Sequence, residues 1–365
     1  MQTRTATPRI LAVNAGGVGN LHGLRARRLT EDLPYDVTVV DLDRTSRKAG
    51  FAHMQRLLQE PWELVYLEST GISGGLPLLR SKHRYIVSSG DPVAGFFRVT
   101  EGPLQGAFFG AYEKQLYRRS AGFVGWTPYL AGRALELGAP RAVTVEGAVA
   151  LDKFPLASPD ERRAAREKLG IPADHLVCGV VGSIRWSERQ SYCYGLELIE
   201  TLKRLKRLDV TMLIVGDGNG RAKLEERVPE ALKSRAVFTG RLPEDQVAQA
   251  MSAMDIGFIT QTLDALGSYR LTTKLPEYLA CGLGVAMSPI PGYFDYVGEA
   301  GWALPPYHPA SEDFHTRCAA WLDALSKEEV AAKPLLARQQ AEQRFDYTIQ
   351  RRRFHRFIEH LLQER

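Results

Sequence analysis

The amino-acid sequence predicts an α/β protein with two doubly wound parallel-sheet domains that face a central cleft. Short apolar runs alternate with amphipathic stretches along most of the chain, which is typical of parallel strands covered by helices on both faces. This pattern breaks once, over residues 151–171, where Pro and charged residues are frequent, and it then restarts with a second apolar strand. Because ligands of such sheets bind beyond the carboxyl ends of the strands, we expect the functional loops of both halves to share the cleft.

The individual elements follow from the hydrophobic periodicity of each half. In the first half we expect strands at residues 10–13, 37–42, 64–67, 85–87, 123–125 and 143–145. We expect helices near 21–29, where Leu21, Leu24 and Leu29 form a rough helical stripe, and near 104–119 and 130–137. In the second half we expect strands at 177–181, 210–215, 237–238, 256–259 and 285–287, and helices over 196–205, 222–228 and 247–254. The last helix has an apolar face that includes Phe354, Ile358 and Leu361.

These patterns divide the chain into three parts. Residues 1–155 are assigned to an N-terminal domain, and residues 156–335 are assigned to a C-terminal domain. We expect the C-terminal helices in residues 336–365 to pack back toward the N-terminal domain.

Composition and cysteine usage predict a cytoplasmic protein. The 365 residues are 44% hydrophobic and 24% charged, no apolar run is long enough to cross a bilayer, and the N-terminus does not resemble a signal peptide. Four scattered cysteines without a C-x-x-C motif are typical of reduced, buried thiols. The net charge of +5 is too small to indicate a nucleic-acid partner.

Basic residues are concentrated in the first half of the chain. Arg25, Arg28 and Arg118 are predicted to lie on exposed helix faces. Such faces can bind anionic lipid headgroups or an acidic acceptor, so one interpretation is peripheral association with the inner face of the plasma membrane. The alternative interpretation is an ordinary solvated surface.

A candidate anion site lies in the second half, at Thr272, Thr273 and Lys274. The two threonines open a predicted short helix that carries Glu277 and ends at Gly282. A helix N-terminus attracts a phosphate, and a carboxylate close behind it can bind the hydroxyls of a ribose. An ordinary loop, helix and strand of an α/β domain is the alternative.

Glycine turns and cations follow several of the predicted strands. Gly16 and Gly17 end the first strand, and Gly216 ends a strand of the second half. Glycine lets the backbone approach a phosphate or a sugar closely, although a plain tight turn is the alternative. Arg185 and Arg189 follow another strand end, where cations could neutralise a diphosphate.

Asp41 and Asp43 leave two other ligands open. They follow the first glycine turn at roughly the distance of a ribose-binding acid, which weakly favours a nicotinamide dinucleotide, but the glycine spacing differs from G-x-G-x-x-G. The same pair is a candidate clamp for a divalent ion on a diphosphate. The sequence has no P-loop, no H-E-x-x-H motif and no zinc-type cluster. We expect that neither a metal nor a cofactor is required.

The order of these motifs resembles the nucleotide-sugar domain of the GT-B glycosyltransferases, specifically the large retaining family 4, also called group 1. The matching segments follow the family order at residues 181–185, 213–218, 237–241, 253–257, 274–282 and 291–292. The first half is similar more loosely, through Gly16-Gly17 and residues 121–124 and 152–154. The resemblance implies two Rossmann-like domains, an acceptor-side domain in residues 1–155 and a nucleotide-sugar-binding domain in residues 156–335.

The resemblance also implies that one set of residues binds the nucleotide-sugar donor. The set comprises Gly16, Gly17, Gly216, Gly240, Arg241, Leu242, Tyr269, Thr272, Thr273, Lys274 and Glu277. Glu277 is expected to bind the ribose, Thr272 and Thr273 to contact the diphosphate, and the backbone of residues 240–242 to bind the edge of the base.

A second set is expected to act in catalysis. It comprises Arg185, Arg189, Asp91 and Glu277. The two arginines stand near the family's phosphate-binding cations, while Ser183 replaces the arginine that usually follows the glycine. Tyr269 replaces the first of two family glutamates, and Asp91 takes the place of a histidine that often lies by the acceptor.

Membership of this family would imply transfer of a sugar from a nucleoside-diphosphate sugar to a hydroxyl with retention of configuration and without a metal. The acceptor would be a sugar, a lipid-linked or another hydroxyl compound, in bacterial polysaccharide, glycolipid or glycoconjugate synthesis. One alternative is a non-catalytic binding or scaffold subunit, suggested by Ser183, Tyr269 and Asp91. An epimerase or phosphorylase of the same fold is another, although its additional motifs are missing.

Overall fold

The computed structural model describes residues 7–43, 45–189 and 191–364, and the chain divides into two compact units. Unit 1 consists of the residues up to Gly147, the short segment Tyr269–Leu271 and the residues from Tyr347 onward. Unit 2 consists of Ala148–Ser268 and Thr272–Asp346. Each unit contains a parallel sheet with helices around it, so the predicted fold class, two doubly wound α/β domains, is confirmed.

Unit 1 is built around one parallel sheet. Its described strands are β1 (Arg9–Asn14), β2 (Asp36–Asp41), β3 (Leu64–Glu68), β4 (Tyr85–Ser89), β5 (Gly122–Gly125) and β6 (Ala142–Thr144), in the order β2-β1-β3-β4-β5-β6. Its helices up to Gly147 are α1 (Leu21–Thr30), α2 (Arg47–Leu57), α3 (Ile72–Arg80), α4 (Val93–Thr100), α5 (Pro103–Arg118) and α6 (Pro128–Glu136). Every residue of β3, β4 and β5 is buried, as expected of central strands covered on both faces.

Unit 2 repeats this architecture. Its described strands are β7 (Leu176–Val181), β8 (Val210–Val215), β9 (Ala236–Gly240), β10 (Ile256–Ile259), β11 (Gly284–Met287) and β12 (Gly301–Ala303), in the order β12-β11-β10-β7-β8-β9. Its helices are α7 (Pro159–Lys168), α8 (Leu196–Leu202), α9 (Arg221–Glu225), α10 (Glu244–Ser252), α11 (Lys274–Ala280), α12 (Pro291–Tyr296), α13 (Glu312–Ala324), α14 (Lys327–Ala331) and α15 (Lys333–Gln340). The predicted helix over residues 196–205 ends earlier, at Leu202.

Three helices of unit 1, α2, α3 and α4, were not predicted. Helix α3 shows why, because it contains Gly74, Gly75 and Pro77, which are typical helix breakers. A β-carbon at Gly75 would lie 1.9 Å from the hydroxyl oxygen of Tyr112, so the glycine is needed for close packing on α5. Tertiary packing therefore overrides the local propensity at this position.

The unit boundaries differ from the predicted boundaries at residues 155/156 and 335/336. The backbone N–H of Val149 donates to the carbonyl of Phe345 at 2.8 Å, and Arg338 donates to the carbonyl of Phe154 at 2.9 Å. These bonds tie the two connecting segments together inside unit 2. The last helix, α16 (Tyr347–Gln363), lies in unit 1, where its apolar face packs on the same cluster as β1.

The prediction that Arg25 lies on an exposed helix face is wrong. Its side chain is 1% exposed and donates from its guanidinium to the carbonyls of Val145 and Glu146. The guanidinium also lies over the ring of Trp126, 4.6 Å from its centroid. The buried cation crosslinks unit 1 and is not available to a lipid headgroup, so association with anionic membranes stays a prediction that rests on other basic residues.

Candidate functional site

The carboxyl ends of three strands in unit 2 are joined by backbone hydrogen bonds. Gly182, after β7, donates to Val215 at 3.0 Å, and Gly216, after β8, donates to Gly240, at the end of β9, also at 3.0 Å. Parallel strands place these loops at one edge of the sheet, which is where α/β domains bind their ligands. The predicted donor-binding residues Gly216 and Gly240 thus lie together at this edge.

The backbone of Gly216 explains why no other residue suits this position. Its φ is +139°, and a β-carbon there would lie 1.9 Å from the carbonyl oxygen of Gly182. L-residues other than glycine rarely adopt such a conformation. Gly216 therefore lets the loops after β7 and β8 touch, whatever contact it makes with a ligand.

The predicted phosphate-binding cations are solvent-accessible. Arg185 and Arg189 are both exposed, and neither forms an ion pair with another residue of the described ranges. Arg241 is exposed and Leu242 is half-buried just after β9. Unpaired guanidinium groups beside a glycine-rich sheet edge are suited to binding phosphate, because an oxyanion accepts two parallel hydrogen bonds from arginine.

Helix α11 begins differently from the prediction that threonines open it. Thr273 has a helical backbone conformation and makes no side-chain cap bond, whereas Thr272 accepts a hydrogen bond from the N–H of Lys274 at 3.2 Å. The helix spans only seven residues. Its position is fixed instead by Tyr278, whose buried hydroxyl accepts a hydrogen bond from the N–H of Val181 on β7 at 2.8 Å.

Glu277 lies on this helix in a half-buried setting. Its Oε2 is 2.6 Å from Nζ of Lys274, and the two side chains are 17% and 27% exposed. The ion pair lies on one helical face because the residues are three positions apart. The predicted donor residues Lys274 and Glu277 are thereby brought together, and the carboxylate keeps a partial opening to solvent.

Unit 2 contains a buried carboxylate, Glu197, that was not predicted as a candidate residue from the sequence. Glu197, at the start of α8, is fully buried and accepts hydrogen bonds from the hydroxyls of Tyr192 at 3.0 Å and Thr260 at 2.9 Å. It also accepts a bond from the N–H of Gly195 at 3.1 Å. None of the described residues places a cation in this network, so burial raises the pKa of Glu197 to about 7.

Replacing Glu197 with glutamine is expected to stabilise the protein at alkaline pH only. Between the ordinary pKa of 4.5 and the raised pKa of about 7, the folded wild type holds a proton that the unfolded chain has released. The free energy of unfolding of the wild type therefore falls over this window, by about 3 kcal/mol. Urea unfolding at about pH 5 and about pH 8 measures how the free energy of unfolding of each protein depends on pH. The same dependence in the wild type and in Glu197→Gln would contradict the raised pKa of Glu197.

The first glycine turn, in unit 1, is organised by Asn14. Its side chain accepts a hydrogen bond from the N–H of Gly16 at 2.8 Å and donates to the carbonyl of Gly17 at 2.8 Å and to Asp41 at 2.7 Å. Asp41 also forms an ion pair with Arg27. Both carboxylate oxygens of Asp41 are therefore engaged within unit 1, whereas Asp43 is exposed.

A cavity of about 730 Å³ lies in unit 1, beyond the ends of β1, β3 and β4. Its lining includes Ala15, His22, Asp43, Ser69 and Asp91, with Phe96 and Phe97 among its apolar residues. The predicted catalytic residue Asp91 is thus placed in a cavity. Its carboxylate lies 2.6 Å from the Nε of Arg270, so it is already paired within unit 1.

Tyr269, predicted to bind the donor, also belongs to unit 1. Its carbonyl accepts a hydrogen bond from the hydroxyl of Thr127 at 2.9 Å, and the guanidinium of Arg133 lies 5.7 Å from its ring centroid. The ring packs at the edge of the apolar core of unit 1. Tyr269 therefore has a packing role that sequence comparison with the family glutamate did not indicate.

His22 and Glu68 are candidate functional residues that the sequence analysis missed. Nδ1 of His22 lies 3.0 Å from Oε1 of Glu68, which is the last residue of β3 and is fully buried. A signal was available, because an acidic residue ending a buried parallel strand lies at the ligand-binding edge of its sheet. The histidine, five positions after Gly17, had no comparable pattern around it.

Across the described ranges, no group of three or more His, Cys, Asp or Glu side chains is arranged to hold a metal ion. No helix in the part of the chain that the structure describes is both long and apolar enough to cross a membrane.

A protein-family model matches the part of the chain that forms most of unit 2. Residues 175–323 match the sequence model of a family described as "Glycosyl transferases group 1". This range contains β7 to β12 and helix α11, and with them every predicted donor residue of unit 2, whereas Gly16 and Gly17 lie outside it.

Two curated relatives are similar over much of the chain. A 2-deoxystreptamine glucosyltransferase of Streptomyces kanamyceticus is 29% identical over 308 residues, covering 81% of this chain and 72% of the relative. A 2-deoxystreptamine N-acetyl-D-glucosaminyltransferase of Streptomyces fradiae is 28% identical over 236 residues, covering 62% of this chain and 51% of the relative.

Solved structures share the fold at low sequence identity. HepE of Anabaena, solved in complex with UDP and glucose, has a TM-score of 0.74 and 14% identity, and the match covers 97% of this chain and all of HepE. At this identity the likeness is evidence of the fold alone.

Proposed function

We propose that this GT-B glycosyltransferase transfers a sugar from a UDP-sugar to an acceptor hydroxyl with retention of configuration, as a member of the retaining family 4. The observation that carries the proposal is the sheet edge of unit 2. There, three strand ends are joined through glycines, two exposed arginines lie nearby, and α11 presents the Lys274–Glu277 pair. We propose uridine diphosphate as the nucleotide of the donor because HepE, which has the same fold, was solved with UDP.

The chemistry of glycosyl transfer suggests a role for each of these residues. The bond from the anomeric carbon to the diphosphate breaks through an oxocarbenium-like transition state, and negative charge grows on the leaving diphosphate. Arg185 and Arg189, with the backbone near Thr272, would stabilise that charge without a metal. Glu277 would hold the ribose, which fixes the diphosphate relative to these groups.

An aminocyclitol is the acceptor that we propose to test first. The two curated relatives are named for transfer to 2-deoxystreptamine, a compound with several hydroxyl groups. The unit 1 cavity, of about 730 Å³, is large enough for a ring of that size and is lined by carboxylate and hydroxyl groups. Lipid-linked and polysaccharide acceptors remain the alternatives.

The proposal is tested by calorimetric titration with UDP, ADP and GDP, followed by a transfer assay with UDP-glucose and 2-deoxystreptamine. We expect UDP to bind most tightly and the product to keep the α-configuration of the donor, as read from the proton coupling of its anomeric carbon. Absence of binding to any nucleotide would favour the scaffold alternative, and a β-linked product would exclude retention. Tight UDP binding without transfer would leave donor binding in place and reject this acceptor.

A further inference from the structure

His22 lies where a polar residue can meet a ligand of the unit 1 cavity. Its side chain is 31% exposed, lines the cavity and packs beside Trp126, with 5.4 Å between the ring centroids. Its hydrogen bond to Glu68 uses Nδ1. Among the described residues no partner is bonded to Nε2, so the second ring nitrogen is available to a ligand.

Glu68 determines which nitrogen of His22 carries the proton. Tyr66 donates its hydroxyl to the other carboxylate oxygen, and Arg25 lies 3.7 Å away. Although burial opposes ionisation, the hydrogen bond from His22 and the charge of Arg25 keep the pKa of Glu68 below its ordinary value. An ionised carboxylate only accepts hydrogen bonds, so Nδ1 of His22 carries a proton, and in the neutral imidazole the lone pair is then on Nε2.

This arrangement is costly for the fold. Arg25 and Glu68 are 1% and 0% exposed, and burying two charges loses more solvation than a neutral apolar pair of similar size would. Placing them directly behind a histidine that faces a cavity is understandable if the charge pair orients the imidazole. Perturbed, buried ionisable groups beside a cavity are enriched at functional sites for this reason.

One other candidate for this role, Asp91, is already occupied. Asp91 lines the same cavity, but its carboxylate is paired with Arg270 at 2.6 Å. We infer that His22, oriented by Glu68, accepts a hydrogen bond at Nε2 from the reacting hydroxyl of the acceptor. This inference rests on the proposed function; it makes His22 a group that touches substrate and Glu68 a positioning residue.

The variants His22→Ala and His22→Gln test the inference in the assay with UDP-glucose and 2-deoxystreptamine. We expect His22→Ala to raise the KM for the acceptor at least tenfold and to leave the affinity for UDP unchanged. The acceptor KM of His22→Gln should lie between those of the wild type and His22→Ala, because an amide can donate to Glu68 and still accept from a hydroxyl. The control is His360→Ala, since His360 forms a similar pair with Glu364 at 3.1 Å but is 61% exposed.

Nitrogen-15 spectra of histidine-labelled protein provide a readout that needs no acceptor. The expected spectrum has the proton of His22 on Nδ1, with Glu68→Gln producing a mixture of the two tautomers. A proton on Nε2 in the wild type, or an unchanged acceptor KM in a folded His22→Ala variant, would overturn the inference. Failure of the wild type to bind UDP would instead reject the proposed function, and the spectrum would still decide the orientation of His22.

Discussion

Replacing Glu277 with alanine is expected to lower kcat/KM for UDP-glucose by about two orders of magnitude. Removal of one preorganised group at the donor typically costs about that much in rate. The carboxylate is held on α11 by Lys274, with 2.6 Å between the charged atoms, and is only 17% exposed, so its orientation is restricted before the donor binds. Steady-state kinetics at varied donor concentration measure the change. Arg189→Ala should act in the same direction through the diphosphate.

A matched control for Glu277 is available in the same unit. Glu230 and Lys233 have the same three-residue spacing and the same 2.6 Å separation, but their side chains are 86% and 60% exposed. Glu230→Ala is therefore expected to leave the rate unchanged. Wild-type kinetics in folded Glu277→Ala protein would show that this helix does not bind the donor.

Gly216→Ala is expected to give the largest loss of stability among single substitutions at the sheet edge of unit 2. The new β-carbon would lie 1.9 Å from the carbonyl oxygen of Gly182 and would also require a φ of +139°. Neither atom in this clash is on a flexible side chain, so the loops after β7 and β8 must separate. We expect a loss of more than about 4 kcal/mol in the free energy of unfolding, measured by urea denaturation, together with loss of UDP binding.

Gly182→Ala is the control for this prediction. Gly182 contacts the same loop through its backbone, but a β-carbon on it would have no neighbour within 4 Å and its φ is not positive. The expected change in the free energy of unfolding is within about 1 kcal/mol. Similar losses in both variants would mean that the clash at Gly216 is relieved by backbone movement.

The strands were predictable because each is a short apolar run between turn residues. The strands at 177–181 and 210–215 were placed within one residue of β7 and β8, since central parallel strands are buried on both faces and carry an uninterrupted apolar signal. Helix α3 was missed because Gly74, Gly75 and Pro77 hide its periodicity. Its packing against Tyr112 of α5, far away in sequence, stabilises it.

At the candidate functional sites, contacts between residues that are distant in sequence could not be predicted either. Arg25 looked like a solvated cation on a helix, yet it is buried against carbonyls 120 residues further along the chain. Asp91 looked available, yet Arg270 pairs with it. Charge and burial of a single residue cannot be assigned from neighbours in sequence, because the partner that compensates the charge comes from another element.

The short segment Thr272–Glu277 shows which features can be predicted from the amino-acid sequence and which require the tertiary structure. By itself the sequence predicted the two-domain α/β architecture, because periodicity and turn chemistry are local properties. The family resemblance then indicated which glycine and arginine residues of unit 2 are candidates for binding the donor. Only the tertiary structure decided that Lys274 pairs with Glu277, that Tyr269 packs in unit 1, and that Glu68 orients His22. Those features depend on which side chains meet in space, and that follows from packing of the whole chain.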